Sequence, residues 1–268
     1  MRRMTSRAVS AFGAVTLAAA VWGAGAVPAG ARVATRPAHA TPAGAHLSAA
    51  GSYEATVPAA RINSHLVITQ GPEAANSGTF EFTDIGDYGN WITQGHSIAM
   101  MIASSEQGHA GVVLVGHVTP HGIAGWVDIP GWGQITWSAT RDGSTASAAK
   151  RVASERNQLA AQEQQPPGNA SGTYGVQFPQ GPTFSDTLVL SHDRFSSRSG
   201  RFSLVNLADT GNWVQMGKHV ALGISSGEDA GVVMIGTRTT SGFNGAGTPG
   251  HYFQPTSGVF DWYATKTS

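Results

Sequence analysis

The first half of the chain contains, in this order, Ser77-Gly-Thr-Phe80, Gly89-Asn-Trp91 and Ala110-Gly-Val-Val113. The second half repeats the pattern as Ser199-Gly-Arg-Phe202, Gly211-Asn-Trp213 and Ala230-Gly-Val-Val233. Alignment of 77–106 with 199–228 and of 109–123 with 229–243 gives 19 identical pairs among 45, whereas unrelated chains match at roughly 6–7% of positions. The chain is therefore duplicated internally, and a residue that one copy lacks is not required by the shared fold.

Both copies have the pattern of short strands separated by tight turns. In copy one, Phe80 and Phe82 alternate with polar residues, as in a half-buried strand. The run 112–115 is instead apolar on both sides. Turn signals such as Gly71-Pro72 separate the runs, and we count seven or eight strands per copy. We predict an all-β fold of two tandem antiparallel meander β-barrels.

The two copies are joined by a segment of different composition. Residues 144–165 contain no Gly or Pro and end at Pro166-Pro167, which predicts one helix. Its narrow apolar stripe (Ala149, Val152, Leu159) favours a helical spacer that lies loosely on one domain. The predicted order is a signal peptide (1–31), a flexible linker (32–50), β-barrel repeat 1 (51–140), a helical linker (141–171) and β-barrel repeat 2 (172–268).

The N-terminus has the pattern of a secretory signal. Arg2, Arg3 and Arg7 precede the uncharged stretch 8–27, and Pro28-Ala-Gly-Ala31 supplies small residues for cleavage. Cleavage after Ala31 is the first choice and cleavage after Ala40 the second. The alternative is an uncleaved anchor, because 20 residues can just span a bilayer. We predict an extracellular protein without a stable membrane anchor after cleavage.

Composition excludes some classes of partner. The 16 basic residues balance the 16 acidic ones, and the charged share is 12%. Such a surface lacks the basic footprint of a nucleic-acid binder. With no cysteine, a secreted chain depends on its own core for stability. We predict no cofactor and no nucleic-acid partner, and the oligomeric state stays open.

The units resemble those of uncharacterised secreted actinobacterial proteins. The resemblance is carried by Gly172-Thr-Tyr174, Gly200-Arg-Phe202, Asp209 to Trp213, Ala230-Gly231 and Trp262-Tyr-Ala-Thr265. It implies a small barrel similar to those of lipocalins or avidins, and it implies no catalytic residue.

One motif is typical of hydrolases. Gly223-Ile-Ser-Ser-Gly227 fits Gly-x-Ser-x-Gly, which works when a strand-to-helix turn presents the serine. No helix is predicted after Ser225, and copy one has Ala103 at that position. A hydrolase would have to combine Ser225 with Asp229 and His251, and we expect no enzyme.

A second pattern allows two interpretations. Residues 84–90 and 206–212 gather Asp and Asn side chains in a loop, where calcium could bind. The same residue types stabilise ordinary turns. We favour the turn, because no bidentate Glu follows within it.

Two histidines are present in copy one alone. His117 and His121 correspond to Thr237 and Ser241, so the shared fold does not need imidazoles there. They are either a specialised binding site, with His96 and His109 in the same copy, or exposed loop residues. We assign no metal site, because the sequence offers no clear third ligand.

Three tryptophans lie close together at the end of copy one. Trp137 corresponds to Trp262 and is expected in the core, whereas Trp126 and Trp132 have no Trp counterpart. Aromatic side chains near a barrel mouth can stack on a sugar or an apolar ligand. We therefore predict Trp126, Trp132, His117 and His121 as ligand-binding residues, which would place the function in copy one.

The sequence thus predicts a secreted, non-enzymatic binding or interaction protein. Its ligand would be an apolar small molecule or a cell-envelope polymer. The alternatives are an extracellular hydrolase that uses Ser225 and a structural envelope protein.

Overall fold

A computed structural model describes residues 47–129, 132–162, 170–179, 184–250 and 258–267. The predicted signal peptide, both cleavage sites and most of the first linker lie outside the described residues.

Each copy forms one closed antiparallel barrel of eight strands, as predicted. Consecutive strands pair in each barrel, and the first strand pairs with the last. A 3-10 turn, Pro58–Ala60, follows the first strand. The first barrel comprises β1 (Gly51–Val57), β2 (Ile62–Gln70), β3 (Ser77–Phe82), β4 (Asp87–Gln94), β5 (Ser97–Ser105), β6 (Val113–Thr119), β7 (Gly122–Ile129) and β8 (Gly133–Arg141). The second comprises β9 (Gly172–Phe178), β10 (Phe184–His192), β11 (Ser199–Leu204), β12 (Asp209–Met216), β13 (His219–Ser226), β14 (Val233–Arg238), β15 (Gly242–Gly247) and β16 (Phe260–Lys266).

The duplicated tryptophans occupy equivalent places in the two interiors. Trp91 and Trp213 are fully buried. Each donates its indole N–H at 3.0 Å to a carbonyl two strands away in its barrel, that of Thr69 for Trp91 and that of Ser191 for Trp213. Because a buried indole N–H needs an acceptor, these matched hydrogen bonds confirm that both copies build the same core.

The predicted helix lies between the barrels in sequence. It is α1 (Ala146–Gln162) and packs on β7 and β8 of the first barrel. Val152 of the predicted apolar stripe is buried there, and so is Ala148, which lies outside that stripe. The packing is therefore closer than that of a loose spacer. No helix in the described part of the chain is long and apolar enough to cross a membrane.

The barrels pack against each other through the outer faces of corresponding strands. β4–β7 meet β12–β15, and the contacts are reciprocal: β4 touches β14 as β6 touches β12. This relationship approximates a twofold axis. This packing follows from the apolar runs of β5 and β6, because one face of each strand packs in the barrel core and the other packs in the interface between the barrels. The interface core contains Ile92, Ala99, Met101, Val113, Val115 and Trp126 from the first barrel and Val214, Met216, Ala221, Val233 and Ile235 from the second.

Candidate functional site

The interior of the first barrel does not provide a pocket of ligand size. Its apolar cavity measures about 40 Å³, whereas sites for drug-sized ligands measure about 300–1,000 Å³. Asp87 is fully buried at this cavity, and its Oδ2 lies 2.7 Å from Nδ1 of His109. In the second barrel the corresponding residues are Asp209 and Asp229, both buried. A ligand of that size would therefore have to bind outside the first barrel's interior.

Two open clefts lie where the barrels meet, and the approximate twofold axis relates them. We call the first the Asp128 cleft; its volume is about 190 Å³, and it is lined by Asp128, Asp193, Arg194, Phe195, Gly200, Arg201 and Asn212. We call the second the Thr248 cleft; its volume is about 290 Å³, and it is lined by Gly71, Pro72, Glu73, Ala74, Ser77, Gly78, Thr79, Asn90, Thr248, Pro249 and Gly258. Each cleft combines the β2–β3 or β10–β11 loop of one barrel with the end of β7 or β15 of the other.

Asp128 is a buried carboxyl group with unused hydrogen-bonding capacity. Only 3% of the residue is exposed, and its Oδ1 has no hydrogen-bond partner among the described residues. Burial raises the pKa of the Asp128 carboxyl to about 6; the nearby Ser199 hydroxyl opposes the shift, and Asp193 adds to it. A buried polar atom without a partner costs free energy, so burial favours the neutral form of this carboxyl group.

The loop between β10 and β11 holds the opposite wall of the cleft in place. Oδ1 of Asp193 accepts hydrogen bonds from the N–H groups of Phe195 and Ser196, at 2.7 and 2.8 Å. This turn presents Phe195, which is 52% exposed, with the Arg194 guanidinium 4.4 Å from its ring centre. Arg201 is exposed on the adjoining strand. The wall thus offers two cations and one aromatic face to solvent.

At the equivalent positions, the Thr248 cleft has no cation, no aromatic ring and no buried carboxyl group. Thr248 stands where the other cleft has Asp128, and its hydroxyl accepts a hydrogen bond from the Val233 N–H. The residues that correspond to Asp193, Arg194, Phe195 and Arg201 are Gly71, Pro72, Glu73 and Thr79. Since the same fold forms with both sets, the charges and the exposed ring of the Asp128 cleft are not needed for folding.

The structure separates the two tryptophans predicted to bind ligand. Trp126 is only 3% exposed and packs in the interface between the barrels. Trp132 is 60% exposed in the β7–β8 turn. The next residue, Gly133, approaches the Cβ of Phe195 so closely that an added Cβ would lie 3.0 Å from it. Trp132 therefore lies beside the Asp128 cleft, and a ligand role for it stays a prediction.

The two predicted histidines are also divided. His117 is exposed on β6, and its ring centre lies 5.8 Å from that of His96. His121 lies in the β6–β7 turn, where its carbonyl accepts a hydrogen bond from the Arg141 N–H. The structure thus pairs His117 with His96. An exposed group on the first barrel (Glu54, His65 and Asp142) has ligand atoms within 4.8 Å of one another.

The hydrolase motif lacks the context that it needs. Ser225 is exposed near the end of β13, and the chain continues to another strand, β14, without an intervening helix. Its hydroxyl is 3.5 Å from the Thr210 carbonyl. Asp229 is buried, and His251 lies outside the described residues. A nucleophile elbow requires a strand–turn–helix, so the geometry of this segment does not activate the serine.

The supposed calcium loop is a turn whose side chains point to separate partners. Asp84 accepts a hydrogen bond from the His65 N–H, Asp87 pairs with His109, and Asn90 reaches the other barrel. These contacts agree with the turn interpretation.

Sequence reasoning missed Arg194, Phe195 and Arg201 because it sought extra residues in copy one alone. It missed Asp128, which is in copy one, because it considered only histidines and tryptophans there as ligand-binding residues. The signal was available, since Arg201 is aligned with Thr79 and Asp128 with Thr248. Residues specific to copy two were as informative as those specific to copy one.

Comparison of the chain with protein-family models, with curated proteins and with solved structures gives no significant match.

Proposed function

We propose that the protein is secreted and acts as a binding protein, not an enzyme, and that it holds an anionic glycan of a cell envelope in the Asp128 cleft. One observation carries the proposal: the two equivalent clefts differ in their chemical groups. The buried Asp128 oxygen and the exposed Arg194, Phe195 and Arg201 are confined to one of them.

Each group suits a part of such a ligand. Guanidinium groups bind carboxylates and phosphates through paired, charge-assisted hydrogen bonds. An exposed aromatic ring offers an apolar face to a sugar, and Phe195 and Trp132 are two of the five exposed large apolar side chains among the described residues. Asp128, which lines the cleft, would accept a hydrogen bond from a sugar hydroxyl. An apolar small molecule is less well supported, because the cavity of the first barrel is too small for it.

The binding experiment uses the secreted full chain and three polymers. Polygalacturonate carries carboxylates, phosphomannan carries phosphates, and dextran is neutral. We expect binding to at least one acidic glycan and much weaker binding to dextran in titration calorimetry.

Variants that install the counterpart residues test the site. Arg201→Thr and Asp128→Thr should each weaken binding about 10- to 100-fold, because a hydrogen bond to a charged group contributes about 1.5–3 kcal/mol. The matched control, Thr79→Ala in the Thr248 cleft, should leave affinity unchanged. Equal affinity for dextran, or equal affinity of all variants, would contradict the proposal. A structural envelope protein would bind none of the three polymers.

A further inference from the structure

Glu54, His65 and Asp142 form a compact group of metal-ligating side chains on the first barrel. Nδ1 of His65 lies 3.6 Å from Oε1 of Glu54 and 3.8 Å from Oδ2 of Asp142. The three ligand atoms all lie within 4.8 Å of one another, and no other group of three does so in the described part of the chain. None of the three residues lines either cleft, so the group is separate from the site proposed for the glycan.

Three neighbouring strands place these side chains next to one another. Glu54 on β1 is directly opposite His65 on β2. Both side chains point outwards, because the adjacent Tyr53 and Leu66 belong to the barrel core. Asp142 directly follows β8, and its N–H donates to a carbonyl of β1 at 3.0 Å. The register of β2, β1 and β8 therefore brings two carboxylates to one imidazole.

The backbone at His65 is fixed on both sides. Its N–H donates to Oδ2 of Asp84 at 2.7 Å, and its carbonyl accepts a hydrogen bond from the Thr83 N–H at 2.9 Å. The imidazole itself is too far from both carboxylates for a hydrogen bond. Ligand atoms on one ion with bonds of about 2.0–2.2 Å lie about 3–3.6 Å apart. Small rotations of the exposed Glu54 and Asp142 side chains close the remaining difference.

The second barrel keeps the backbone hydrogen bonds of this region without its ligands. The N–H of Thr267 donates to a carbonyl of β9 at 2.8 Å, as that of Asp142 does to β1. The counterparts of Glu54, His65 and Asp142 are Gly175, Thr187 and Thr267. The shared fold therefore requires none of the three ligands of the first barrel.

We propose that Glu54, His65 and Asp142 together bind one divalent transition-metal ion, with zinc as the expected occupant. Imidazole nitrogen and carboxylate oxygen are both ligands of zinc, whereas calcium takes oxygen ligands. Three protein ligands leave one tetrahedral position for water, as the exposure of the site allows. Sequence spacing had paired His117 with His121, because ligands that come from three different strands have no fixed spacing in the sequence.

The test is zinc titration of the full chain by calorimetry, after purification without a histidine tag and treatment with a chelator. We expect a site with a Kd of about 1–100 µM, and calcium at about 1 mM should leave that affinity unchanged. His65→Thr and Asp142→Thr, which install the counterpart residues, should each weaken zinc binding at least about tenfold, as should Glu54→Gln. Two matched controls should bind zinc as the unaltered protein does. His117→Thr breaks the other histidine pair, and Glu81→Gln removes an exposed carboxylate of β3.

Absence of zinc binding would overturn the proposal, as would an unchanged affinity of His65→Thr or a loss confined to His117→Thr. Long-range ¹H–¹⁵N spectra of the unaltered chain give a second readout that does not depend on a variant's folding. We expect zinc to shift the imidazole nitrogen signals of His65 and to leave those of His96 and His117 in place. Shifts confined to other histidines would contradict the assignment.

Discussion

Asn90 and Asn212 make the same contact in opposite directions across the interface. Nδ2 of Asn90 donates to the Gly231 carbonyl, and Nδ2 of Asn212 donates to the Gly111 carbonyl, both at 2.8 Å. The two glycines have φ angles of +87° at Gly111 and +100° at Gly231, a conformation that other residues rarely adopt. The duplicated Asn and Ala-Gly motifs therefore hold the two copies together in addition to shaping each of them.

We expect Asn90→Ala and Asn212→Ala to destabilise the protein equally. Each change removes one hydrogen bond and leaves a carbonyl without its partner, which typically costs about 1–2 kcal/mol. The measurement is the free energy of unfolding in urea, with the exposed Asn63→Ala as control. A loss for one asparagine and none for the other would contradict the reciprocal interface.

The three tryptophans of copy one should respond differently to replacement by Ala. Trp137 is fully buried and hydrogen-bonded to the Val115 carbonyl, so its loss should cost about 3–5 kcal/mol. Trp132 is exposed, so its replacement should lower the free energy of unfolding by about 0.5 kcal/mol or less. Sequence comparison had placed Trp126 with Trp132, but its burial between the barrels predicts a loss close to that of Trp137. Denaturant midpoints of the three variants measure this order, and a negligible effect at Trp126 would argue against the interface.

Asp128 makes stability depend on pH. Its pKa near 6 lies above the ordinary value of 3.8, so the folded state binds the proton more tightly than the unfolded state. This contribution to stability is complete below about pH 3.8 and is lost as pH rises through 6. The free energy of unfolding of Asp128→Asn, taken relative to that of the unaltered protein, should therefore be about 2–3 kcal/mol higher at pH 7.5 than at pH 4. Urea unfolding at both values checks this, with the exposed Glu81→Gln as control; parallel stability curves for Asp128→Asn and the unaltered protein would contradict it.

Ser225→Ala should leave stability and ligand binding unchanged. The equivalent strand of copy one already carries Ala103, and the serine hydroxyl is exposed. A serine-directed fluorophosphonate should not label the protein. Labelling that disappears in Ser225→Ala would favour the hydrolase alternative.

The predicted signal peptide leads us to expect the mature protein in the culture medium. Its N-terminus should follow Ala31, or Ala40 as the second choice. N-terminal sequencing measures this directly. Retention of Met1 in a membrane fraction would contradict the proposed secretion.

The sequence by itself determined the strands, the turns and the duplication. Alternation of residues such as Phe80 and Phe82 specifies which side of a strand enters the core, and glycine-rich turns join each strand to the next. The repeated Trp91 and Trp213 marked equivalent core positions. These features are local or are copied between the halves, so they can be read without knowing how the halves meet.

Only the tertiary structure decided which residues share a site. Asp128 and Arg201 are far apart in the chain and belong to different barrels, but they line the same cleft. They come together because the apolar outer faces of β4–β7 and β12–β15 bury each other. The apolar run 112–115 indicated that a second face would be covered, but a run of apolar residues does not specify its partner, since hydrophobic burial is non-directional.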